Sequence, residues 1–119
     1  MAEVKEIVED ENKIDTVISE DLELRGRLVF KHSLKIKGYF DGKIESEGHL
    51  ILGQESTVSA DMKAGLVSVY GRATGKIRAE KRIELYKKSV TRGDLVTPDI
   101  YVESGSHFDG TCVMSEKEK

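Results

Sequence analysis

A period of 16 to 18 residues runs through the middle of this chain and leaves few folds open to it. Shifting Leu34-Lys-Ile-Lys-Gly-Tyr-Phe-Asp-Gly-Lys-Ile44 by 33 residues lays it on Val67-Ser-Val-Tyr-Gly-Arg-Ala-Thr-Gly-Lys-Ile77, with both pairs of glycines coinciding. A shift of 17 lays residues 83–95 on 100–112, and a shift of 50 lays residues 50–62 on the same place. The basic unit is therefore about half of 33 residues, a period that marks a stacked repeat rather than a globule with one irregular core.

Six units follow, and their residues fall into columns. The first column is Thr16, Leu34, Leu50, Val67, Ile83 and Ile100, and two residues later come Ile18, Ile36, Leu52, Val69, Leu85 and Val102. After a gap of either six or four residues come Leu24, Phe40, Val58, Ala73, Thr91 and Phe108. A small-residue column follows (Gly26, Gly42, Ala60, Gly75, Gly93, Gly110), and then Leu28, Ile44, Met62, Ile77, Leu95 and Cys112. Of the 24 positions outside the small column only Thr16 and Thr91 are not apolar, although apolar residues make up 38% of the chain.

Apolar residues at spacing two specify short strands with one face inward, and they exclude helices as the main element. Three short strands per unit close one turn of a parallel β-solenoid, whose turns pair backbone to backbone. The expected fold is all-β: about six turns, triangular in cross-section, forming a rod about 29 Å long at about 4.8 Å per turn. The small column belongs where the chain bends sharply or the lumen narrows. This also accounts for a composition with 11 Gly, one Pro, no Trp and seven aromatics, since a solenoid core is assembled from small aliphatics.

Charge divides the chain further. Residues 1–15 hold Glu3, Glu6, Glu9, Asp10, Glu11 and Asp15 against Lys5 and Lys13, whereas residues 16–112 are nearly neutral. The expected organisation is a flexible acidic arm over 1–15, the β-solenoid over 16–112 and a flexible tail over 113–119. A net charge of −3 gives no reason to expect nucleic acid as a partner. The single cysteine, Cys112, excludes an internal disulfide and a multi-cysteine metal site. No apolar run approaches the roughly 20 residues that span a bilayer, so a cytoplasmic protein is expected.

The motifs with sharper associations have simpler explanations. Arg92-Gly93-Asp94 spells an adhesion tripeptide, but Gly93 stands in the small column and reads as a bend. The Gly38/Gly42 and Gly71/Gly75 pairs have the spacing of a membrane packing motif among charged neighbours. No glycine-rich phosphate loop is present, and His32, His49 and His107 fall in different turns, so no metal site is expected. Tyr70 and Tyr86 occupy one outward column in neighbouring units and should stack on the exterior. Lys81, Arg82, Lys87 and Lys88 read as a solvated basic strip.

The segments at 34–44 and 67–77, together with Ser46-Glu-Gly-His-Leu-Ile-Leu-Gly53, Val90-Thr-Arg-Gly-Asp-Leu-Val-Thr-Pro98 and Phe108-Asp-Gly-Thr-Cys112, resemble the bactofilin family across residues 16–112. The resemblance implies a right-handed β-helix that assembles end to end, without nucleotide or other cofactor, into cytoskeletal filaments. Such filaments scaffold peptidoglycan-synthesis or peptidoglycan-hydrolase proteins and influence bacterial cell shape. Family members often carry a short apolar or basic amino-terminal segment that holds the filament on the inner membrane face. Residues 1–15 depart from that pattern, because anionic lipid repels so acidic a segment.

The residues point to self-association on their own account. A solenoid's end turns offer unpaired backbone groups and an uncovered lumen to another chain. The expected polymer interface is Val17, Ile18 and Leu24 at one end and Ile100, Val102 and Phe108 at the other, with no catalytic, cofactor or metal residues. Two alternatives are a left-handed β-helix acyltransferase and a non-polymerising β-helix that binds partners through its acidic arm. The first requires strict hexads, three to a turn, and the unequal units here lack that rhythm.

Overall fold

Backbone pairing follows the sequence period rung by rung. The computed structural model describes residues 6–8, 15–18 and 23–115, with side chains described from 23 onward. Among these residues every element is a strand: β1 (Glu6–Val8), β2 (Asp15–Ile18), β3 (Glu23–Phe30), β4 (Ser33–Ile36), β5 (Tyr39–Ser46), β6 (His49–Leu52), β7 (Thr57–Val69), β8 (Arg72–Leu85), β9 (Val90–Thr97), β10 (Ile100–Val102) and β11 (His107–Met114). All pairings are parallel. The fold is the expected all-β parallel solenoid.

The first two columns form one face. Thr16 pairs with Leu34, Leu34 with Leu50, Leu50 with Val67, Val67 with Ile83 and Ile83 with Ile100. The remaining columns form two further faces on either side of the small-residue corner. There Leu24 pairs with Phe40, Phe40 with Val58 and Val58 with Ala73, so successive rungs differ by 16, 18 and 15 residues. Six rungs separated by five stacking steps make about five turns, one fewer than a count of units suggests. β1 lies within the stretch 1–15 and pairs with Arg27, Leu28 and Val29, extending the third face by one rung. β11 continues to Met114, two residues past 112.

The lumen is the core. Leu34, Ile36, Ile44, Leu50, Leu52, Val67, Val69, Ile77, Ile83, Leu85 and Leu95 are all fully buried. Layers vary in how they fill it: Phe40 shares a rung with buried Ser46, while Val58 and Met62 share one with Ala64. Bulk in one column is offset by a small residue in the next, as close packing requires. The most polar layer is the fifth rung, where Ser89, Thr91 and Thr97 are fully buried. The hydroxyl of Thr97 donates to the Asp99 carbonyl at 2.8 Å, while those of Ser89 and Thr91 have no hydrogen-bond partner.

The corner explains the small column. Gly93 has φ +130°, and a Cβ there would overlap the carbonyl oxygen of Gly75 on the preceding rung. Gly42 stands in the same relation to Gly26. Two independent penalties, left-handed backbone and steric overlap with a neighbouring main chain, therefore fall on any side chain. Gly93→Ala is expected to lower folding stability by at least about 2 kcal/mol, read as a clear drop in the thermal midpoint by circular dichroism. An unchanged midpoint would refute this account of the corner.

Candidate assembly interface

The alternation that buries one side of the strands continues into the last described rung, where none of the described residues covers it. Inward positions that are fully or nearly buried in earlier rungs reappear there as Ile100, Val102, Phe108, Cys112 and Met114. Val102 is 54% exposed, Met114 is 52% exposed, Cys112 is exposed, and Ile100 and Phe108 are only partly buried against the core. Among the described residues β10 pairs only with β8 and β11 only with β9, so one edge of each lacks a neighbour. The terminal rung thus offers backbone donors and acceptors together with an apolar layer about one side chain deep.

The residues expected at the polymer interface are distributed unequally. Ile100, Val102 and Phe108 share the terminal rung. Val17 and Ile18 lie in β2, at the opposite end of the first face, and their side chains fall outside the described residues. Leu24 is 6% exposed and belongs to the core of the chain itself. Met114 was not among the expected residues. It ends a sixth inward column of Phe30, Ser46, Ala64, Ala79, Thr97 and Met114. That column mixes polar and apolar residues, so hydrophobic periodicity does not disclose it; its signal was the spacing of two beyond the fifth column.

The outer side of the first face carries a polar network. The Ser68 hydroxyl donates to Glu84 Oε1 at 2.7 Å, which leaves its oxygen to accept from His49 Nε2 at 2.6 Å. Tyr86 OH also donates to Glu84 Oε1, at 2.9 Å, and Arg82 Nε lies 3.6 Å from Glu84 Oε2. Serine, histidine and a carboxylate therefore meet, but with the serine in the middle. A nucleophilic serine needs a histidine that takes its proton and a carboxylate that orients the histidine. Here the serine hydroxyl donates its hydrogen bond to the carboxylate rather than to the histidine, so the cluster joins three rungs and does not prepare a nucleophile. Among the described residues no group of three His, Cys, Asp or Glu side chains is placed to hold a metal ion, and no helix is long and apolar enough to cross a membrane.

The network sets three protonation equilibria. Burial lowers the His49 pKa from 6.5, only partly offset by the Glu84 carboxylate. Burial by itself would raise the Glu84 carboxyl. Hydrogen bonds from Ser68 and Tyr86, with the charges of Arg82 and His49, outweigh it and hold the group below its ordinary value. The hydrogen bond to Glu84, with burial and the carboxylate charge, pushes the Tyr86 phenol up to about 12.

His49 folds more readily in its neutral form, so the unfolded chain takes up the proton first as pH falls below about 6.5. Stability present above that pH is then lost down to the lower folded value. Glu84 acts in a separate, more acidic window, where stability is lost as pH falls through its depressed pKa. His49→Gln keeps a donor for Ser68 but does not titrate. It is expected to flatten the decline in denaturation midpoint between pH 7.5 and 5.5 relative to the parent chain, and identical declines would rule His49 out as the cause.

Comparison with known proteins identifies the family of the solenoid. The sequence model of the family described as "Bactofilin: Polymer-forming cytoskeletal" matches residues 16–113. The bactofilin BacO of Myxococcus xanthus (strain DK1622) is 31% identical over 105 residues, covering 88% of this chain and 83% of that protein. BacP of the same organism is 27% identical over 118 residues, covering 99% of this chain and 49% of that longer protein. No solved structure gives a significant match. With the family pattern spanning the whole solenoid, this chain belongs to the bactofilins, a family of polymer-forming cytoskeletal proteins.

Proposed function

We propose that this chain is a non-enzymatic structural subunit that assembles end to end, without nucleotide, into filaments, and that the filaments scaffold cell-wall enzymes and so influence cell shape. The observation that carries the assembly reading is the terminal rung, where Val102, Phe108, Cys112 and Met114 leave the inward columns uncovered beside unpaired strand edges. A second copy seated there would continue the backbone ladder and bury the apolar layer. Covering a half-exposed side chain of this size is worth about 1 kcal/mol, so a few of them together oppose the entropic cost of association. Membership of a polymer-forming family supports the same reading, and the peptidoglycan-synthesis or peptidoglycan-hydrolase partners rest on the family alone.

Phe108→Arg places a charge in the apolar layer and is expected to raise the critical concentration for assembly at least about tenfold, leaving a soluble monomer with the parent's circular dichroism. Met114→Asp should act in the same direction because it ends a column of the same lumen. Sedimentation and negative-stain microscopy without nucleotide read both. A Phe108→Arg protein that folds and still forms the parent's filaments at the parent's concentration would reject this interface.

A further inference from the structure

The outer side of the first face holds a stack of rings that stops abruptly. Tyr70 and Tyr86 lie with centroids 4.4 Å apart and planes 3° from parallel, and Tyr101 leans on Tyr86 at 5.8 Å. The stack is oriented from outside, since Tyr86 donates to Glu84, which also accepts from Ser68. Tyr70 and Tyr86 follow directly on the paired columns of the first face, and the residue in the same place one rung earlier is Gly53. One rung before that stands Lys37. Tyr70 therefore has one ring face against Tyr86 and, one rung away on the other, only Gly53, with the Lys35 and Lys37 side chains 3.6 Å from where a Gly53 Cβ would stand.

This gap opens into a depression of about 410 Å³, with Gly53 in its floor and Tyr70, Ile51, Lys35, Lys37, Gln54 and Glu55 around it. Among the described residues the side chains of Lys35, Lys37, Gln54 and Glu55 make no hydrogen bond or ion pair. Two rungs separate Tyr70 from Lys37, about 9.6 Å at the spacing of paired strands, which is room for one ring between them. Such a ring would stack on Tyr70 as Tyr86 does and present its other face to the Lys37 side chain. Two lysines against one glutamate make the rim attractive to negative charge.

We propose that this vacancy in the tyrosine stack is a docking site for an aromatic side chain flanked by carboxylates, supplied by an acidic segment of a partner protein. The ring completes the stack at the Gly53 position, and Lys35 and Lys37 pair with the flanking acids. The site lies on the side of the solenoid, clear of the terminal rung, so a partner held there leaves end-to-end assembly free.

Equilibrium dialysis tests this with an acidic heptapeptide carrying a central tyrosine, the same peptide with a central leucine, and a version with lysines in place of the acids. Dialysis reads binding whether or not the chain polymerises, so its failure and failure of the assembly reading are separate results. The acidic tyrosine peptide is expected to bind at least about tenfold more tightly than either counterpart. Gly53→Phe, which puts the chain's own ring into the vacancy, and the double variant Lys35→Glu/Lys37→Glu should each weaken it about tenfold or more. Gly53→Ala should retain binding, because a Cβ there meets the Ile36 carbonyl oxygen at a tight 3.3 Å that a shift of a few tenths of an ångström relieves, and the Lys35 and Lys37 side chains at an ordinary 3.6 Å. If Gly53→Phe fails to fold, Tyr70→Ala replaces it and should lose the preference for tyrosine over leucine. Equal binding of the tyrosine and leucine peptides, or undiminished binding by a folded Gly53→Phe protein, would overturn the proposal.

Discussion

Parallel backbone pairing between successive turns is the constraint on which everything else in this molecule depends. Each rung satisfies its N–H and C=O groups with the rungs on either side, and the pairing holds only if each unit places the same positions at the same corners. The glycine corner enforces this. At Gly42, Gly75, Gly93 and Gly110 the backbone takes φ between +125° and +147°, and each glycine packs on the backbone of its counterpart one rung earlier. At these positive-φ corners a side chain would overlap the preceding backbone, whereas the third rung turns its corner at Ala60 without positive φ; inward alternation, lumen packing and the outward ladders all depend on the corners keeping register.

Because the corners keep register, variation in loop length is absorbed outside the ladder. Among the described residues, the units with a six-residue gap before Val58, Thr91 and Phe108 insert a turn closed by Ser56, Ser89 and Ser106 respectively, whose N–H donates to the carbonyl three residues earlier. The Ser56 and Ser106 hydroxyls repeat that contact at 2.7 and 2.8 Å, whereas the Ser89 hydroxyl has no partner. Ser89 and Thr91 make the fifth rung the most polar layer of the lumen, immediately beneath Phe108 in the terminal rung. The apolar surface offered at the end of the solenoid thus rests on a layer with less hydrophobic support than those behind it.

The outer surface has an order of its own. His49, Ser68 and Glu84 come from three consecutive rungs and form one hydrogen-bonded chain, with Tyr86 holding the same carboxylate. Stacking turns brings residues 15 to 19 apart in sequence into contact, which is how strands alone, among the described residues, assemble a polar network and an aromatic stack. The end of the solenoid and its side therefore carry different chemistry: apolar columns and open strand edges at the end, ordered rings and, among the described residues, unpaired lysines along the side.

Much of this was legible in the sequence because a solenoid converts one-dimensional period into three-dimensional register. Each apolar column assigned from spacing is a real ladder, and the stacking of Tyr70 on Tyr86 follows from their places in neighbouring units. The sixth inward column was not legible, because Ser46, Ala64, Ala79 and Thr97 conceal its apolar ends at Phe30 and Met114. Nor was the burial of Leu24, since a column specifies which way a side chain points and not what covers it. Sequence alone determined the repeat, the strands, the corners and the family. Only the tertiary structure decided which end residues remain uncovered, that Ser68 stands between His49 and Glu84, and that the gap at Gly53 opens beside Tyr70. Those depend on neighbours one or two rungs away, whose side chains meet only when the turns are stacked.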